Sequence, residues 1–270
     1  MKRFDCKRDD NNMFDFTLVD SHIHPFLTQE YNICNYPVPE SPEEFVEILK
    51  RSGVTLCCGS VIKPGAWLSC WEDVEKCNDD CFEFAGMFEN FFIPGLLIHA
   101  AFPEQSCAEI EKRSVSGKLH WIGEIVPYST GTMQYSAESL FPVYDLAQER
   151  GLPVNIHPGS GVEDICRIAE NFPELKIVIA HPGEKPSYME KLAAMKKFKN
   201  IHLDLSGTGI FRWGMLQYGV KEVGAERFLY GSDFPVCSPM TNLAGIKAEK
   251  LAAADEKLII SENFRRLTGL

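Results

Sequence analysis

Eight short apolar runs, at 17–21, 54–59, 93–98, 119–125, 153–156, 177–180, 201–205 and 228–231, recur along the chain, and stretches with helical spacing separate them. Runs this short and this rich in Val, Ile and Leu suit strands covered on both faces. Their alternation with helices predicts repeated βα units and a parallel sheet. The connecting segments carry recognisable helix ends. Ser41-Pro42-Glu43-Glu44 reads as a capping box with Pro at the first helical position, Phe45, Ile48 and Leu49 form an apolar stripe, and Gly53 closes the helix. Helical stretches at 137–150, 161–170 and 187–198 stop before Gly151, Asn171-Phe172-Pro173 and Lys199-Asn200 respectively. Eight strands with interleaved helices close most economically on themselves. A chain of 270 residues, 45% hydrophobic, has the length and core material for one such unit. The expectation is therefore an α/β fold, a single (β/α)8 TIM barrel over 17–270, preceded by an extension at 1–16.

A doubly wound open sheet would announce itself by a glycine-rich phosphate turn after the first strand. Here that turn reads Asp20-Ser21-His22-Ile23-His24-Pro25. The formal net charge of −11, from 38 acidic and 27 basic residues, disfavours a broad phosphate-binding surface and so nucleic acid as a partner. No apolar run approaches the roughly 20 residues that span a bilayer, and the N-terminus carries charge of both signs, which predicts a cytoplasmic protein without a membrane anchor. The ten cysteines are scattered. Cys57 adjoins Cys58, and Cys77 and Cys81 lack a partner pair, so reduced structural thiols are expected. Two connections are longer than the rest, 63–90 and 126–136, and both are candidates to cover a site. The aromatic stretches 66–71 and 88–92 suit a lid or a subunit interface, which leaves a homo-oligomer open.

His22 and His24 stand two apart at the end of the first run, so strand geometry projects both rings from one face. Four further runs end in a metal-competent side chain: Glu124, His157, His181 and Asp233. In a barrel these ends meet at the C-terminal face. Desolvating six such groups at the mouth of apolar strands is costly, and a divalent cation satisfies several at once. His99 follows the third run and is a candidate substrate contact, whereas His120 and His202 sit at strand beginnings and are assigned to structure. Lys63, Tyr128, Arg212 and Trp213 supply cationic and aromatic groups in the connections, so they are the candidate substrate-binding residues. The planar fork of Arg212 suits a carboxylate or phosphate, which points to a small anionic molecule.

From Asp20-Ser21-His22-Ile23-His24 to Ser261-Glu262-Asn263-Phe264-Arg265-Arg266-Leu267, nearly the whole chain resembles the amidohydrolase superfamily. Gly123-Glu124 resembles the TatD-like metal-dependent hydrolases, although Ile125-Val126-Pro127-Tyr128 follows where that group carries Gly-Leu-Asp. Gly231-Ser232-Asp233-Phe234-Pro235 and Asn263-Phe264-Arg265-Arg266-Leu267 are similar to the amidohydrolase-related group that includes decarboxylases. The resemblance implies that His22, His24 and Asp233 bind one metal. It implies that His157 and His181 bind a second or position substrate, and that Glu124 bridges. One or two divalent ions per chain are implied, Zn²⁺ or Mn²⁺. The implied reaction is hydrolysis of a small ester, lactone or amide by a metal-activated water, with Asp233 as general base and His181 polarising the substrate. The alternatives are non-oxidative decarboxylation on the same site, a TatD-like phosphodiesterase or nuclease, and a metal-binding barrel without turnover.

Overall fold

The strands follow one another around a single sheet in the order of the chain, β1 to β8, every neighbouring pair parallel. They are β1 Val19–Ile23, β2 Leu56–Gly59, β3 Phe92–Leu96, β4 Trp121–Ile125, β5 Val154–Ile156, β6 Ile177–Ile179, β7 Ile201–Asp204 and β8 Phe228–Leu229. The structure, a computed structural model, describes residues 17–63, 68–127, 134–159 and 161–270. The expected extension at 1–16 and Tyr128 lie outside the described residues. Closure comes where β8 returns to β1: the Ser21 N–H donates to the Tyr230 carbonyl at 3.0 Å, the Asp233 N–H to the His22 carbonyl at 2.8 Å, and Ile23 bridges Phe234. The sheet is thus a (β/α)8 barrel, as the eight apolar runs predict.

Helices wrap the outside: α1 Pro42–Arg51, α2 Trp71–Met87, α3 Pro103–Ser114, α4 Phe141–Glu149, α5 Glu163–Asn171, α6 Lys185–Lys197, α7 Met215–Val223 and α8 Pro239–Ala248. The start of α1 shows how local chemistry sets an element. Ser41 Oγ accepts from the Glu44 N–H at 3.2 Å, while the Glu44 carboxylate accepts from the Glu40 N–H at 2.6 Å. The return bond of the capping box is therefore displaced one residue outward. Phe45, Val46 and Leu49 of this helix are buried against the outer faces of the strands.

Two cores result. The larger lies between sheet and helices. The smaller takes one inward residue from each of six strands, Val19, Cys58, Ile93, Trp121, Val178 and Leu229, and closes on Phe264 and Leu267 of the C-terminal helix α9, Asn263–Thr268. It fills the floor of the barrel, with the Trp121 and Phe264 ring centroids 5.4 Å apart. Most of the connection 63–90 is α2 rather than a cover. The expectation of a lid or interface at 88–92 is corrected: Phe91 and Phe92 are buried in the core, and Phe92 opens β3. The nine cysteines among the described residues are free, and Cys57, Cys58, Cys77 and Cys81 are buried.

Candidate metal centre

The C-terminal ends of β1, β4, β5, β6 and β8 bring the six expected donors together. His22 and His24 leave β1 with their Nε2 atoms 3.1 Å apart. Both Nδ1 atoms face acceptors: His22 Nδ1 lies 2.9 Å from Asp204 Oδ2, and His24 Nδ1 lies 3.0 Å from the Ser60 carbonyl. A carbonyl only accepts, so His24 carries its proton on Nδ1, and the Asp204 carboxylate favours the same tautomer in His22. Two Nε2 lone pairs then point at one another, an arrangement that requires a cation or a shared proton between them.

Carboxylates complete the ring of donors. Glu124 Oε2 is 3.5 Å from His22 Nε2 and 3.4 Å from His24 Nε2, and Asp233 Oδ1 is 3.7 and 3.5 Å from the same atoms. The other Glu124 oxygen, Oε1, faces His157 Nδ1 at 2.9 Å and His181 Nε2 at 3.3 Å. Glu124 thus turns one oxygen to each of two donor groups, His22–His24 and His157–His181. Mixed imidazole and carboxylate donors of this kind suit a divalent transition metal. The residues present fit such an ion, with His22, His24, Glu124 and Asp233 about one point and Glu124, His157 and His181 about a second.

The charges agree with that geometry. Burial pushes the Glu124 carboxyl up, but His22 and the hydrogen bonds from His157, His181 and His22 reverse this, so it is held well below the ordinary carboxylate range. Burial acts against a charged His22, yet Asp204 and Glu124 raise its pKa well above the usual imidazole value. His181 follows the same pattern through Glu124.

Local backbone places these side chains. His181 and Asp233 both adopt left-handed conformations, at φ of 60° and 66°, which swing them off their strand ends into the mouth. Two glycines let the site close up. A Cβ on Gly123, at φ of 100°, would lie 2.2 Å from the Asn155 carbonyl oxygen, and one on Gly207, at φ of 62°, would lie 2.5 Å from His181 Nδ1.

Asp204 escaped the sequence reading. It is fully buried and accepts from His22 Nδ1, from Asn155 Nδ2 at 3.0 Å, and from the His181 and Ser206 N–H groups, each at 3.1 Å. Ser206 Oγ donates to it as well and stands 2.9 Å from His181 Nδ1. The signal was present in β7: His202, Asp204 and Ser206 alternate with Ile201, Leu203 and Leu205, a period of two that marks an inward polar face.

The expected substrate residues are dispersed. Arg212 is exposed, and Glu184 occupies its fork through contacts of 3.1 and 2.8 Å, so the guanidinium is not free for a substrate anion. Trp213 is 74% exposed. Lys63 Nζ lies 3.6 Å from Asp73 Oδ1. His99 is buried beside Phe102, its Nε2 without a partner among the described residues, and its backbone N–H donates to Ser106 Oγ at 3.0 Å.

A parallel (β/α)8 barrel with His, Glu and Asp donors converging above its strands defines the class of metal-centre barrels. Within that class the chain belongs to the amidohydrolase family, whose model matches residues 70–270. It is 27% identical over 181 residues to the gamma-resorcylate decarboxylase of Rhizobium sp. (strain MTP-10005), a match covering 60% of this chain and 53% of that protein. The chain thus spans about half the length of this curated relative. Two solved structures share the fold. One is a putative amidohydrolase from Staphylococcus aureus, with a TM-score of 0.76, 17% identity and coverage of 94% of this chain and 100% of that one. The other is a 5-carboxyvanillate decarboxylase from Novosphingobium aromaticivorans DSM 12444, complexed with manganese and 4-hydroxy-3-methoxy-5-nitrobenzoic acid. It has a TM-score of 0.72, 15% identity and coverage of 95% and 97%. No helix among the described residues is long and apolar enough to cross a membrane.

Proposed function

We propose that this chain is a metal-dependent, non-oxidative decarboxylase of a small aromatic carboxylate. The observation that carries the reading is a donor cluster fitted to a divalent cation in a chain 27% identical, over 181 residues, to a protein named as a decarboxylase. The hydrolytic expectation gives way on the same ground. Manganese is the favoured ion, since a neighbour in fold is complexed with it. His22, His24, Glu124 and Asp233 would hold a divalent ion, which would supply positive charge to bind an anionic substrate and to stabilise the electron pair left on carbon when carbon dioxide departs. His157 and His181 keep Glu124 ionised and in place through Oε1. Asp233 and His181, each with a side chain 14% exposed, face the mouth and deliver the proton there. The bond to the carboxyl carbon breaks, carbon dioxide leaves, and a carbon–hydrogen bond forms in its place. The free thiols accord with a reducing, cytoplasmic setting.

The test is incubation of metal-loaded protein in D₂O with gamma-resorcylate, 5-carboxyvanillate and a panel of aryl esters and lactones. Carbon dioxide release with one deuterium entering the ring is the expected result. Ester or lactone cleavage without carbon dioxide would overturn the proposal in favour of hydrolysis. Elemental analysis of a His22→Ala/His24→Ala variant counts the ions lost: one or two support a catalytic metal, and none in a well-loaded preparation removes it.

A further inference from the structure

At the opposite end of the barrel, beneath the starts of β6, β7 and β8, a cavity of about 570 Å³ is lined by Lys176, Lys199, His202, Arg227 and Arg266. None of the two lysines and two arginines among them forms an ion pair with a carboxylate among the described residues, although the chain as a whole carries a net charge of −11. An acidic protein that gathers unpaired cations in one recess maintains a local field opposite to its own.

The cations are held in place by contacts that do not neutralise them. Arg227 is 5% exposed, and its guanidinium donates to the backbone carbonyls of Ile201, Met195 and Phe198. Lys176 Nζ donates to the carbonyls of Gly151 at 3.1 Å and Leu267 at 2.7 Å, and Arg266 to that of Glu226 at 2.7 Å. Carbonyl dipoles orient a charge but leave its net value unchanged. Glu174 and Glu226, the acidic residues of the lining, are both exposed on the rim, and Glu226 offsets part of the Arg227 field.

A second observation is independent of the charge count. His202 is 5% exposed, lines the cavity, and its Nδ1 is buried with no hydrogen-bond partner among the described residues. A neutral ring nitrogen without a partner pairs with an oxyanion once it takes up a proton, which a bound anion favours by offsetting Arg227 and Arg266. Burial, then Arg227 and Arg266, hold the His202 pKa down to about 3, and burial, then Arg266, lower that of Lys176. Burial is the larger cause in both, and the neighbouring guanidinium groups add to it.

We propose that this floor cavity is a binding site for the phosphate group of a small molecule. A phosphate offers several acceptor oxygens and up to two negative charges, which match exposed Lys199 and Arg266 at the rim and His202 Nδ1 deeper in. The cavity exceeds the size of inorganic phosphate and so has room for the rest of a phosphorylated metabolite. The site lies at the strand starts, away from the metal centre at the strand ends, and does not rest on the decarboxylase reading.

The test is isothermal titration calorimetry with inorganic phosphate and with ribose 5-phosphate, on the metal-loaded protein and on the His22→Ala/His24→Ala variant. The expected result is binding in both proteins, weakened about ten-fold or more by Lys199→Ala/Arg266→Ala, and unchanged by Lys118→Ala, whose ammonium already faces Glu89. The His202 imidazole resonances shift on titration. Tighter binding of the sugar phosphate identifies a phosphorylated metabolite as the source, and equal affinities identify free phosphate; both support the site. Absence of binding overturns it. So does binding that vanishes in His22→Ala/His24→Ala and ignores Lys199→Ala/Arg266→Ala, which assigns the anion to the metal centre.

Discussion

Asp204→Asn isolates the contribution of a buried carboxylate that is hydrogen-bonded to His22. Asp204 Oδ2 accepts from His22 Nδ1 at 2.9 Å and Asn155 Nδ2 at 3.0 Å, and Oδ1 accepts from the His181 and Ser206 N–H groups and from Ser206 Oγ. Burial alone would raise its pKa, but His22 and these hydrogen bonds hold the carboxylate well below its ordinary range. An asparagine must turn its amide NH₂ toward one of these two sets of donors. Two hydrogen bonds to a charged acceptor are lost, at about 1.5–3 kcal/mol each, which gives a destabilisation of about 3–6 kcal/mol. If the NH₂ faces His22, that ring accepts at Nδ1 and moves its proton to Nε2, the atom directed at His24. Loss of such a partner typically lowers metal affinity about 10–100-fold, or roughly 1.4–2.7 kcal/mol. Competition with a chelator gives the affinity, and thermal unfolding without metal gives the stability. The reasoning is refuted if Asp204→Asn binds metal within about two-fold of the parent while remaining folded.

Further predictions follow from particular contacts. Gly207→Ala places a Cβ 2.5 Å from His181 Nδ1 in a left-handed backbone, so about 1–2 kcal/mol of stability should go, together with most turnover. Full activity in a destabilised protein would show that His181 moves without consequence. Histidine 202 governs part of the acid sensitivity. Its folded pKa of about 3 lies below the unfolded 6.5, so the stabilisation is complete above the unfolded value and is lost as pH falls from there toward 3. In phosphate-free buffer this amounts to about 2 kcal/mol between pH 7 and pH 5. Urea unfolding of His202→Gln at both pH values should show a pH dependence smaller by that amount; an identical dependence would assign the acid sensitivity elsewhere.

The sequence by itself determined the architecture and most of the donor set. Eight apolar runs separated by capped helices demand a parallel sheet covered on both faces. The residues that end those runs, His22, His24, Glu124, His157, His181 and Asp233, meet because all parallel strands of a barrel end on one rim. Period and position in the chain carry that much. Other features depended on contacts between distant segments. His22 and Asp204 are 182 residues apart, and their hydrogen bond, with the tautomer it favours, exists only once β1 and β7 face each other across the barrel. Nothing local in the sequence pairs Arg212 with Glu184, 28 residues away, and only the fold seats that carboxylate in its fork. The cations at the floor belong to segments before β6, β7 and β8 and to the C-terminal helix, and they form one recess only because the barrel closes. Strand pattern is local and survives in one dimension. Hydrogen-bond partners, charge neutralisation and cavities depend on distances between remote residues, and only the folded chain sets those distances.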